Sequence, residues 1–434
     1  MTSHTKITDP SIYTRLPSLA AMYDYFTTDD PHMLHPDIRV PTAVLVAYLA
    51  LMVLCVLSLA IPLPSRQLKI INRGLMLPAI LSISAYIYQK CLYLDTAGNR
   101  FSLSISRAHH FKPFNATAGF TLRAIDTLLF SGDPHKTFFR IDKPHPPRTL
   151  REGLAYSFSF WFTFRGIKWN WKSRKTPTWS ENNIPTRTQF IRMHLHNLAW
   201  RYVFMDALET FLRKTGFLAY PPLLMNDLSL LSPLRNAAGL AHGVLLWQVI
   251  DMTYSLFVIP CVLLRISHVD ECPPQFGRLA DATTLAAYWA TLWHSNWKKP
   301  FVGVSLGVTR FFKLPAMFGV FGTFIISGIF HSLIALAAHG GDIRSWSGAG
   351  AMLSFAVQPI GLIVERCFMS HILPLLPISV RRSKLFKSLS YLWVTLWLST
   401  TASFAFDEVN QAGLMAKPLL PFSPVRYILD QIYA

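Results

Sequence analysis

The sequence is short of charge. Asp, Glu, Lys and Arg make up 15% of its 434 residues against 51% hydrophobic, whereas an ordinary soluble protein carries about a quarter charged residues. With a mean hydropathy of +0.31, that shortage argues against a soluble globular class and for a polytopic membrane protein. Cysteine is sparse too. Four of the five scattered thiols (Cys55, Cys91, Cys261, Cys272 and Cys367) lie in or beside apolar runs, a pattern of neither a disulfide framework nor a zinc cluster. The first forty residues hold no apolar core of signal-peptide type, so the first span is expected to target the chain as a signal-anchor. Repeats and low-complexity tracts are not evident, which leaves a polar tail over 1–40 and one membrane domain over 41–434.

Acidic residues are the scarcer charged class: 23 Asp and Glu face 41 Lys and Arg, a formal charge of +18. No basic stripe is joined to a soluble recognition module, which argues against nucleic acid. The cations crowd instead into 65–73 (SRQLKIINR, read as a short loop), 133–192, 298–313 and 381–387. The positive-inside rule places these at the cytoplasmic face. The tail has three Lys/Arg against five Asp and is expected on the lumenal side, where the sequon at Asn115 could be glycosylated. An integral, multi-pass protein of the endoplasmic reticulum fits this pattern.

About eight spans follow from the apolar runs. The clearest is 41–64, uncharged for more than twenty residues and long enough for a hydrocarbon core of about 30 Å. The others are roughly 74–94, 117–131, 198–212, 236–265, 315–338, 349–373 and 388–406. LAYSFSFWFTF (154–164) is too short to cross, and the following RGIKWNWK interleaves Arg165 and Lys168 with Trp169 and Trp171. It reads as an interfacial helix, with indoles at headgroup depth. DKPHPPRTL (142–150) reads as a loop. The fold class expected is all-α.

Two histidines stand out. His331 lies inside the apolar run FIISGIFHSLIALAAHG (324–340), where an unpaired polar ring costs several kcal/mol unless it finds a partner or a wet cavity. Upstream, 273–301 is amphipathic, with Leu285, Tyr288, Trp289, Leu292 and Trp293 at helical spacing and His294, Asn296, Lys298 and Lys299 at the far end. That spacing predicts one helix dipping inward. A lone histidine on an apolar face is commonly a satisfied structural residue; placement inside a membrane favours function.

YWATLWHSNW and SGIFHSL resemble the two signature regions of the membrane-bound O-acyltransferases, in particular the wax-synthase-like branch that includes fungal secondary-metabolite acetyltransferases. RGIKWNW (165–171) and QFGRL (275–279) are similar to further segments of that branch, so the likeness covers roughly 165–340. It implies an MBOAT-like fold, with His331 as the essential histidine and His294 as its Trp-rich-segment partner. One departure is Ser332, where the family often has an acidic residue. The implied activity is transfer of an acetyl or short acyl group from acyl-CoA, a co-substrate, to the hydroxyl of a lipophilic acceptor such as a terpenoid.

The residue chemistry supports the same assignment independently. A buried histidine stays neutral and can accept a hydroxyl proton, which suits His331 as base. The tetrahedral intermediate needs donors, for which His294 or Asn296 would serve; Asn296 could equally cap or orient a helix. CoA phosphates call for cations at the cavity mouth, and Lys298, Lys299, Arg310, Lys313, Arg165 and Lys168 are candidates, unless they serve only topology and headgroups. No metal is expected, since His194 and His196 lack further ligands at metal spacing. Asp251 and Glu365 in apolar runs fit either an ion pathway or pairing between helices. Competing readings are a wax-ester or sterol-ester synthase, a proton-coupled transporter using His331, Asp251 and Glu365, and a polytopic terpene cyclase. The transporter reading lacks paired halves with interrupted helices, and the cyclase reading needs carboxylates in the spans, of which there are few.

Overall fold

The computed structural model describes residues 42–93, 116–180, 183–219, 222–229, 232–338, 348–412, 415, 418–420 and 422–433. The polar tail and Asn115 lie outside them. Helices dominate, and among the described residues the only β pairing is two isolated bridges from Arg140. α1 (Thr42–Ala60) is a continuous apolar helix that stops short of Pro62 and Pro64. α2 (Ser65–Ile71) then runs through a π turn (Asn72–Met76) into α3 (Leu77–Tyr93). The basic stretch 65–73 is therefore helical rather than a loop, because no residue between Ser65 and Leu77 breaks the backbone ladder. α4 (116–124) continues through the π turn Ile125–Phe130, and α5 (Leu150–Phe162) starts at a Thr149 cap.

The second half holds α6 (Arg187–Lys214), opened by a Thr186–Gln189 capping box, and α7 (Pro233–Leu263), opened by Ser232 with Pro233 in its first turn. α8 (Lys298–Phe311), α9 (Met317–Ala338), α10 (Ala349–Ala356), α11 (Gln358–Cys367), α12 (Lys384–Gln411) and α13 (Pro424–Tyr433) complete it. α9 lies between α8 and α10, and α10 packs on α12, which packs on α7; α1 packs on α3 and α5. At the N terminus of α10 the backbone N–H groups of Gly348 and Ala351 donate to the Glu408 carboxylate of α12, charge placed where the helix dipole favours it.

Five described helices are long and apolar enough to cross a bilayer: Thr42–Ala60, Ser65–Lys90, Pro233–Leu263, Met317–Leu336 and Ala349–Leu375. Three of the eight expected spans fall outside that set. The helical stretch 116–130 is too short for a hydrocarbon core. α6 is long enough but carries too many charges, and the Ser, Thr and Trp residues of α12 dilute its apolarity.

RGIKWNW is no interfacial helix. Gly166 sits at φ +66° and Lys168 at φ +63°, and the segment turns back on itself. It drives Trp169, 1% exposed, into the core formed by α1, α3, α5 and Phe138. Arg123 donates to the Phe160 and Thr163 carbonyls at the end of α5 and lies over the Phe160 and Trp171 rings. The indoles pack inward because this guanidinium and α5 offer them a cation–π and apolar surface on the protein side.

Candidate active site

The site is built on a strap, residues 273–297, fastened at several points. The Arg165 guanidinium, 7% exposed, donates to the carbonyls of Pro273 at 2.7 Å and Pro274 at 2.6 Å, and Tyr254 of α7 donates to Pro273 at 2.8 Å. Gly277 N–H donates to Leu292 O at 2.9 Å, and a Cβ on Gly277 would stand 2.1 Å from Thr291 O, so only glycine permits this approach. Glu365 of α11 accepts from the backbone N–H of Leu285 at 2.7 Å and Ala286 at 3.1 Å. These bonds cap a helical turn, Leu285–Ala287, that runs straight into a π turn, Tyr288–Leu292.

The single amphipathic helix expected over 273–301 is thus interrupted. A π turn brings residues five apart onto one face, and Tyr288 and Trp293 stack at 5.6 Å and 24°. Trp293 then turns extended (φ −67°, ψ 146°). His294, Ser295 and Asn296 follow outside any helix, before Trp297 opens α8. Ser295 Oγ accepts from Thr176 at 3.3 Å, and Asn296 is half-buried without a side-chain hydrogen bond among the described residues.

His331 projects from the middle of α9. Its Nδ1 lies 2.7 Å from Ser327 O. A carbonyl oxygen only accepts, so Nδ1 carries the proton and Nε2 is left with its lone pair. Phe355 of α10 stacks on the ring at 4.2 Å and 22°. His294 lies against Trp293 (5.2 Å) and the edge of Phe276 (5.9 Å). Its Nδ1 is enclosed with no partner among the described residues. Burial pushes the His294 pKa down to about 3, with His331 and then Arg165 as smaller repulsive neighbours. Both rings are half-buried among the helices. Tyr288, Trp289, Trp293, Trp297, Phe324 and Phe355 around them are half-buried as well.

The six candidate cations separate. Arg165 spends its donors on the strap, Lys168 pairs with Asp270 at 2.7 Å and Glu271 at 3.8 Å, and Lys299 pairs with the buried Asp126. Lys298 leans toward Ala290 O at 3.4 Å, while Arg310 and Lys313 are exposed. Of the intramembrane carboxylates, Asp251 pairs with Arg201 at 2.6 Å across α6 and α7 and Glu365 holds the strap. His194 bonds Ser255 at 2.9 Å. Sequence reasoning missed Gln358 and Phe355. A glutamine in an apolar run was the available signal, and Gln358 is 3% exposed with its amide fully engaged.

Residues 272–357, which span the strap, both histidines and α9, match the Membrane bound O-acyl transferase family. Acetyltransferase aurG of Calcarisporium arbuscula is 22% identical over 396 residues, 81% of this chain and 90% of that protein. Acetyltransferase eriL of Hericium erinaceus is 24% identical over 366 residues, 81% of this chain and 88% of that one. Acetyltransferase pyr8 of Aspergillus fumigatus is 24% identical, covering 61% and 67%. No solved structure matches. The chain is an integral membrane acyltransferase. Its likeness to the membrane-bound O-acyltransferase family is carried by residues 272–357 and by acetyltransferase relatives at 22–24% identity.

Proposed function

We propose that the protein transfers an acetyl or short acyl group from acyl-CoA to a hydroxyl of a lipophilic acceptor, a terpenoid or meroterpenoid of secondary metabolism. The observation that carries this reading is the Nδ1 contact of His331 to Ser327 O, which leaves Nε2 as a proton acceptor among aromatic neighbours. The acceptor oxygen attacks the thioester carbonyl carbon as Nε2 takes its proton. The tetrahedral oxyanion needs a donor. His294 fits, because its enclosed Nδ1 has no acceptor for a proton, so a neutral ring keeps its hydrogen on Nε2; Asn296, two residues on, is a second candidate donor. Collapse breaks the carbon–sulfur bond, and the imidazolium returns its proton to the departing CoA thiolate. Among the cations, Lys298, Arg310 and Lys313 are the better candidates for CoA phosphates, since Arg165, Lys168 and Lys299 are engaged within the protein.

Three acetyltransferases as relatives support the acetyl donor, and the many Trp and Phe rings support a bulky apolar acceptor. Microsomes containing the protein, supplied with labelled acetyl-CoA and a panel of hydroxylated terpenoids, should label an acceptor. His331→Ala should abolish this at unchanged protein abundance. Transfer only from long-chain acyl-CoA would identify a wax-ester or sterol-ester synthase instead. Gradient-driven uptake without acyl transfer would identify a transporter.

A further inference from the structure

Trp289 occupies a singular position between the two histidines. Its ring packs on Phe355 at 6.1 Å, and Phe355 stacks on His331. It also packs on Trp293 at 6.3 Å, and Trp293 lies against His294. Phe324 of α9 closes a third side at 5.6 Å. Trp289 therefore touches the neighbours of both imidazoles and stands beside the place where a thioester carbonyl would meet them.

The indole is latched rather than merely packed. Its Nε1–H donates to Gln358 Oε1 at 3.3 Å, an oxygen that also accepts from Trp397 of α12 at 3.1 Å. The other end of the same amide donates to Ser354 O at 2.8 Å and Thr401 Oγ1 at 3.0 Å. All four contacts agree on one amide orientation, so the indole cannot swing without leaving a buried acceptor underused. Behind Trp289 there is thus a buried polar network spanning α10, α11 and α12.

We propose that Trp289, held by Gln358, is the blind end of the acyl site and sets a ceiling on acyl chain length. A multi-ring acceptor must enter and leave and so needs an open path. The acyl group ends in a methyl and needs only a closed one. The wall at Trp289 is backed by a hydrogen-bonded network, which assigns it to the acyl side. The inference rests on the acyl-transfer reading above and adds the residue that makes the donor short.

The test measures kcat/KM for acetyl-, butyryl-, hexanoyl- and octanoyl-CoA with a fixed acceptor, in purified full-length protein and in Trp289→Leu, Trp289→Ala and Gln358→Leu. A methylene in an apolar pocket is worth roughly tenfold or more in discrimination. The hexanoyl-to-acetyl ratio should therefore rise at least tenfold in Trp289→Ala, less in Trp289→Leu, and detectably in Gln358→Leu, while the ranking of acceptor alcohols stays fixed. An unchanged chain-length ratio in variants that still transfer acetyl overturns the assignment, as does a change of acceptor ranking in its place. Loss of all transfer in all three variants, at wild-type abundance and melting temperature, overturns it too. Failure of the wild type to transfer any acyl group would instead remove the underlying reading.

Discussion

His331 and His294 differ in what their Nδ1 atoms meet, and the difference divides their chemistry. Ser327 O claims the proton of His331 and leaves a lone pair; nothing described claims one at His294. His294→Ala should therefore lower kcat about a hundredfold to a thousandfold, the usual cost of an oxyanion donor. His294→Gln, which retains an N–H donor, should keep more activity than alanine, and equal losses would argue against a donor role. The low pKa of His294 has a second consequence. A histidine whose folded pKa, about 3, lies below its unfolded value of 6.5 binds its proton more readily when unfolded. It costs nothing above about pH 6.5 and draws the equilibrium toward unfolding as pH falls from there toward 3, by at most about 1.4 kcal/mol per pH unit. In detergent micelles, His294→Phe should flatten the fall in melting temperature between pH 6.5 and pH 4; a slope identical to wild type would contradict it.

At the scale of elements, the strap shows how local signals and tertiary ones compete. The apolar spacing of Leu285, Tyr288, Trp289, Leu292 and Trp293 was legible as an amphipathic segment, and its rings Tyr288, Trp289 and Trp293 do pack on one another. The break at Trp293 was not legible. It depends on Glu365, which lies 80 residues further along the chain and caps Leu285 and Ala286, and on a π turn that no propensity encodes. The same limit applies to Trp169 and Trp171, whose composition suits a membrane interface but which pack on Phe160 of α5, Trp171 also under Arg123. α1, α7 and α9, by contrast, announce themselves as long apolar runs, because a bilayer tests only length and apolarity. Glu365→Ala removes two charge-assisted hydrogen bonds, each worth about 1.5–3 kcal/mol. It should lower the melting temperature and kcat together. Glu365→Gln, which still accepts, should restore part of both; full activity in the alanine variant would show that the strap holds its shape without the cap.

Across the whole molecule, buried ion pairs between distant segments do what periodicity cannot specify. The candidate histidines were legible as polar groups out of place in apolar sequence. Their surroundings, Phe355, Gln358 and the Lys299–Asp126 pair, arise only when segments far apart in sequence meet. Lys299 in the first turn of α8 reaches Asp126 in the π turn after α4, and its ammonium lies over Phe138 at 4.7 Å. Gly303, one turn on, approaches Asp126 so closely that a Cβ would stand 1.9 Å from its carboxylate. This pins α8 to the first helical group immediately behind the loop that bears His294. Removing one partner strands a buried charge at a cost of about 3–5 kcal/mol, whereas replacing both with apolar groups is close to neutral. Lys299→Met should therefore destabilise strongly, and Asp126→Leu combined with Lys299→Met should recover most of the loss. The double variant also loses the electrostatic restraint on α8, so its stability should return further than its kcat. A double-mutant cycle on denaturation midpoints, with acyl transfer measured on the same preparations, checks both parts. A Lys299→Met cost below about 1 kcal/mol would place the pair with solvent-screened surface bridges, and α8 would then owe its position to apolar packing alone.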